Sequence, residues 1–238
     1  MTISTIDESQ SKAARVVGFT YLFAMVTAVF GNYFRGSLIV SANAVETAQN
    51  IIAHEYLFRL VLASELLVYV IDIVLITALY VILNPVNRHF VLLAVFLRLM
   101  ETATLVVSTL SSFVVLKLLS GAEYLQVFEV DRLQALAKLS LSEFGAGYKI
   151  GFVFLGLGST VFSYLWLKSN YIPRALAVLG VFSSLLLAIC NFAFIVFPNL
   201  ERIVTMAYMA PMGVFEIAMG FWLLFKRLRQ AGVAESIT

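Results

Sequence analysis

The sequence is poor in the side chains that most chemistry requires. One cysteine, Cys190, occurs in 238 residues, so neither an intrachain disulfide nor a thiolate metal cluster can form, and Cys190 is expected to serve as a small buried apolar residue. The two histidines, His54 and His89, fall at opposite ends of apolar stretches, where they are expected at the surface and cannot share a metal. Charged residues make up 13% of the chain, against about a quarter in an average soluble domain. The net charge is only +2, so nothing points to nucleic acid. No Gly-rich phosphate loop ending in Lys-Ser or Lys-Thr occurs, nor does His-Glu-x-x-His, Cys-x-x-Cys or Gly-x-Ser-x-Gly. Nucleotide hydrolysis and the familiar metalloprotease and lipase chemistries are left without support. No cofactor or metal is implied, and no catalytic residue is assigned.

What the chain has in excess is apolar surface. Hydrophobic residues reach 61%, with 20 Phe and 10 Tyr, and the mean hydropathy is +0.96. A soluble core of this size could not enclose so much, so the expected solvent is a lipid bilayer. A hydrocarbon layer about 30 Å thick needs roughly 20 apolar residues per helical crossing. Six such runs lie at residues 16–34, 57–83, 90–119, 144–167, 175–197 and 204–225. They predict an all-α bundle of six transmembrane helices, a membrane domain over 16–227 with tails at 1–15 and 228–238. The first run is too long for a typical cleaved signal, and the tail before it includes Asp7 and Glu8 as well as Lys12 and Arg15.

Six crossings put both termini on one face. That face carries eight Lys and Arg (Lys12, Arg15, Arg88, Lys168, Arg174, Lys226, Arg227, Arg229), and the other carries six (Arg35, Arg59, Lys117, Arg132, Lys138, Arg202). The excess predicts cytoplasmic termini in an inner, or plasma, membrane. Trp166 and Trp222, just inside Lys168 and Lys226, read as interfacial anchors on that face. The inner turns, 84–89 and 169–174, are short and contain proline, so run 2 should touch run 3 and run 4 should touch run 5. The long connections lie on the outer face, and each is expected to hold a short amphipathic helix. One starts after Asn43, with Glu46 at the spacing of a reciprocal cap, and runs from Ala44 to about His54. The other carries Leu125, Phe128, Leu136 and Leu139 at helical spacing.

Ionisable residues inside the apolar runs carry the most information: Glu65 and Asp72 in run 2, Arg98 and Glu101 in run 3, Lys149 in run 4 and Glu216 in run 6. Insertion scales put a central Asp, Lys or Arg at about 2.5–3.5 kcal/mol, so these six should face the bundle interior. With a rise of 1.5 Å per residue, Asp72, Arg98, Glu101 and Glu216 all lie roughly 12–16 Å from the inner edge. Glu65 sits two turns further out, at a depth closer to Lys149. Fully ionised, the inner layer would set three carboxylates against one guanidinium. Burial and like charge both oppose that state, so at least one acid should be protonated, or a cation or cationic ligand should be held there. The alternative is a helix clamp in which Asp72, Arg98 and Glu101 fix runs 2 and 3 in place. Gly147 and Gly151 permit close approach by another helix, and the same glycines could make room for a ligand beside Lys149.

Several blocks taken together resemble one bacterial membrane family. They are Leu57-Phe-Arg-Leu60 leading to Glu65 and Asp72, Asn84-Pro-Val-Asn-Arg88, Phe96-Leu-Arg-Leu-Met-Glu101, the stretch from Tyr171 to Gly180, and Glu216 before the closing apolar run. The chain is identified by them as similar to the domain of unknown function 4386, from Arg15 to Arg227. The resemblance implies a multi-pass bacterial membrane protein without an assigned reaction. It carries over Arg59, Asp72, Arg98, Glu101, Arg174 and Glu216 as positions of a recurrent polar pattern, with no catalytic role. Lys149 departs from that pattern.

Three readings stay open: a transporter-like or small-ligand-binding protein with a buried acid-rich site, a structural, sensory or accessory subunit, and an intramembrane enzyme. The last requires a pocket opening from the lipid or the outer face onto two or more of the acids. Partners are the bilayer and, on the first reading, a small molecule or cation. Oligomeric state and protein partners are not encoded legibly.

Overall fold

The computed structural model describes residues 6–40, 43–204, 207–226 and 228, and among them there are helices and no strands. In chain order the helices are α1 (Glu8–Leu38), α2 (Ala44–Ala53), α3 (Glu55–Leu83), α4 (Arg88–Leu118), α5 (Val130–Ser169), α6 (Arg174–Val196), α7 (Pro198–Val204) and α8 (Ala210–Phe225). Six of them, with α8 counted from Ala207, are long and apolar enough to cross a membrane. Large apolar side chains lie bare along their outer faces, Val26 at 70% and Val107 at 64% exposure among them. Such a surface is stable only against lipid, and the chain is a multi-pass membrane protein with an all-α, six-helix bundle.

Local chemistry explains the ends. Asp7 accepts from the Gln10 N–H at 2.6 Å while the Asp7 N–H donates to Gln10 Oε1 at 3.1 Å, so α1 begins with a closed capping box eight residues before its apolar run. Asn87 accepts from the backbone of both His89 and Phe90 to start α4. Asn170, at φ 56°, ends α5 in the left-handed conformation, and Pro173 then caps α6. Asn43 accepts from the Glu46 N–H at 3.0 Å, as its spacing predicts, but Glu46 answers the Asn43 side-chain amide rather than its backbone.

Three expectations need correction. The second outer helix is not separate: after a turn of 3-10 helix at Glu123–Leu125 and a four-residue turn at 126–129, α5 starts at Val130 and continues unbroken for 40 residues through the fourth apolar run. Nothing between Lys138 and Phe144 breaks a helix, so the surface segment and the crossing segment fuse. Trp166 is not an interfacial ring, being 1% exposed and edge-on to Tyr171 in the core. Cys190 is half-buried rather than enclosed. His54 and His89 are exposed, as expected. Among the residues counted for orientation, Arg227 and Arg229 lie outside the described residues, as does the tail from 229 onward, and the Arg202 side chain is likewise not described.

The predicted neighbours meet: α3 packs on α4 and α5 on α6, and the broadest contact is between α4 and α5. Gly147 and Gly151 make that last contact possible, since a Cβ on either would run into Ser108 or Leu105 of α4. Two apolar cores result. One gathers Leu79, Ile82, Val91, Leu165 and Trp166 near the face carrying the N-terminus. The other gathers Leu38, Ile51, Phe58, Val115 and Leu141 at the opposite end, where α2 covers the bundle. Between them the buried stripe of α3 turns polar, reading Leu62, Glu65, Tyr69, Asp72, Leu75. The spacing of three and four keeps all five on one face, so the stripe that makes the core also delivers the charges to it.

Candidate functional site

Arg98 projects from α4 into the gap between the two cores and is 5% exposed. Its Nη2 donates to Asp72 Oδ1 on α3 at 3.1 Å, and its Nη1 donates to Ser159 Oγ on α5 at 3.2 Å. Its Nε lies 3.1 Å from Glu101 Oε2, one turn along the same helix. That last contact is ionic without hydrogen-bond geometry, and Glu101 Oε2 is buried and accepts no hydrogen bond from the described residues. Gly158 makes room for the stem that carries the guanidinium, because a Cβ there would stand 2.8 Å from the Arg98 Cγ. Glu216 approaches from α8, beside the buried Phe215, within electrostatic reach of Arg98 and Asp72. It has no ion pair among the described residues.

These four side chains line one cavity of about 430 Å³. Every one of the six crossing segments contributes to its wall, Asn32 from α1 and Leu187 from α6 included. The remaining wall is largely apolar and includes Met25, Phe152 and Met212. Val29 and Ala210 both line the cavity and are exposed, which places its mouth between α1 and the start of α8, on the side of the bundle rather than at an end. The size and the mixture of apolar wall with a few convergent polar groups match a small-molecule site. The opening onto several acids is also what an intramembrane enzyme would require.

Glu65 belongs to a second polar centre. Its Oε1 accepts from Arg35 Nε at 2.9 Å and lies 2.7 Å from Arg35 Nη2, both side chains being 10% exposed. The Arg35 guanidinium also stands 4.0 Å over the Phe144 ring. Between the two centres the hydroxyls of Tyr69 and Tyr148 are 3.3 Å apart, and Thr109 donates to Tyr69 at 3.4 Å. A small cavity of about 40 Å³ beside Glu65 shares both tyrosines and Asn32 with the larger one.

The structure therefore brings Asp72, Arg98, Glu101 and Glu216 together and keeps Glu65 and Lys149 apart from them. Lys149 reaches Glu201 of α7 at 2.6 Å in a half-exposed pair. Arg59 pairs with Glu55 at the surface, and Arg174 is exposed at the start of α6. Sequence reasoning missed Arg35 as the partner of Glu65, although the antiparallel order of α1 and α3 puts them at one depth. It also missed Ser159, Asn32 and the tyrosine pair, which are uncharged at neutral pH and so fall outside a reading built on buried charges. Among the described residues no three of His, Cys, Asp and Glu are gathered closely enough to hold a metal ion.

The family model of the domain of unknown function DUF4386 matches residues 16–226, and the chain belongs to that family. No curated protein and no solved structure matches it.

Proposed function

We propose that this membrane protein is transporter-like or binds a small ligand, with Asp72, Glu101 and Glu216 exchanging protons or holding a cation while Arg98 organises them. The observation that carries the reading is the imbalance within one cavity: three carboxylates and a single guanidinium share about 430 Å³. A purely structural ion pair needs neither the third acid nor the space. We further propose an inner-membrane location with cytoplasmic termini, supported by the Lys and Arg excess on the terminal face. Accessibility of single cysteines placed in the two faces of a Cys190→Ser background tests that orientation.

The functional test is thermal stability of the detergent-purified protein from about pH 5 to pH 9, wild type beside Glu216→Gln, with sodium, potassium and small metabolites. A pH-dependent transition lost in Glu216→Gln, or a ligand that raises Tm only in wild type, supports the proposal. Superimposable curves under all conditions overturn it in favour of the helix clamp, the reading supported by the way Arg98 joins α3, α4 and α5.

A further inference from the structure

We infer that the ligand of this cavity is a small organic monocation, an amine or quaternary ammonium with an apolar body, whose charged head sits between Glu101 and Glu216. The inference rests on the reading of the cavity as a ligand site and names what it would take.

The hydrogen bonds divide the three acids into two kinds. Asp72 is committed, since it accepts from Arg98 Nη2 at 3.1 Å. Glu101 is 2% exposed, lines the cavity, and its Oε2 has an ionic contact but accepts no hydrogen bond from the described residues. Glu216 lines the same cavity, and no Lys or Arg among the described residues is paired with it. A buried carboxylate oxygen left without a donor is costly, and an N–H or a positive charge arriving from a ligand would remove that cost. Arg98 does not compete for the space, because Asp72, Ser159 and Glu101 already occupy its three nitrogens.

Three further features select an organic cation over an inorganic one. The cavity is far larger than a bare ion needs, and no three acids converge tightly enough for a metal among the described residues. Tyr69, Tyr148 and Phe152 line it, and aromatic faces attract weakly hydrated ammonium groups. The mouth, between Val29 and Ala210, opens on the flank of the bundle, where a molecule with an apolar body would arrive from the bilayer. Met25 and Met209, flexible and polarisable, line the cavity and can adapt to such a body.

The test uses the purified full-length protein in lipid nanodiscs and three probes of similar shape: benzyltrimethylammonium, benzyl alcohol and phenylacetate. Calorimetric titration is expected to show saturable binding of the cation only. Glu216→Gln and Glu101→Gln should each weaken it about tenfold or more, and Lys149→Met should leave it unchanged. Equal binding of the neutral or anionic probe in wild type overturns the inference, and this arm needs no variant to fold. No binding of any probe, with the pH transition of wild type still abolished in Glu216→Gln, overturns the organic cation while leaving the proton-exchanging cavity standing. No binding together with flat pH curves removes both.

Discussion

Gly18 of α1 and Gly220 of α8 meet backbone to backbone: a Cβ at position 18 would lie 2.8 Å from the Gly220 carbonyl oxygen and 2.9 Å from the Leu224 nitrogen. Neither obstacle can swing aside as a side-chain tip could. Gly18→Ala is therefore expected to lower stability by about 1–3 kcal/mol, read as a drop in detergent Tm. Gly36→Ala supplies the contrast, because nothing stands within 4 Å of its new methyl. There the gain in helix propensity should leave Tm unchanged or slightly raised.

Removing Arg98 leaves two buried acids without their counter-charge. Arg98→Met should cost about 3–5 kcal/mol, the range for breaking one side of a buried pair. Adding Asp72→Asn and Glu101→Gln to it should recover part of the loss, since neutral partners need no cation. A triple variant as unstable as the single one would show that Arg98 acts through its hydrogen bond to Ser159 rather than through its charge.

Arg35 and Glu65 share two close contacts and a mean exposure near the floor, so they should behave as a coupled unit. A thermal double-mutant cycle with Arg35→Met and Glu65→Gln is expected to give an interaction of about 0.5–3 kcal/mol. Additive losses would mean that the aromatic contact with Phe144, not the carboxylate, holds the guanidinium.

The Lys149 pair tests the opposite limit. With Lys149 30% and Glu201 45% exposed, screening should hold the effect of Lys149→Met to about 0–1 kcal/mol, falling further in high salt. A loss as large as that of Arg98→Met would show that α7 is anchored chiefly through this lysine.

Hydropathy alone made the six crossings legible, because the cost of polar backbone and side chains in lipid leaves few alternatives to long apolar helices. Counting residues from the inner turns also assembled Asp72, Arg98, Glu101 and Glu216, since depth is linear in sequence along a helix. The same arithmetic failed for Lys149. Depth fixes how far a side chain lies along the helix axis but not which way it faces, and Lys149 turns toward α7, a segment whose helix was hidden inside a connection. Arg35 was counted only as a charge of the outer face for the converse reason: the end of an apolar run need not be the end of the buried region when α2 folds over it. Ser159 could not be found at all, because a serine in an apolar helix can bond its own backbone at little cost and so leaves no trace in composition.

The length of α5 has a mechanical consequence. Its 40 residues span about 60 Å, twice the hydrocarbon thickness, in one continuous helix. Lys138, near one end, is fastened to the Val40 carbonyl at 2.8 Å, and Ser159, 21 residues further on, is fastened to Arg98. The loop after α1 and the buried guanidinium are thus two loads on one beam. One continuous helix ties the outer cap to the hydrogen bond that steadies the charge in the middle of the membrane.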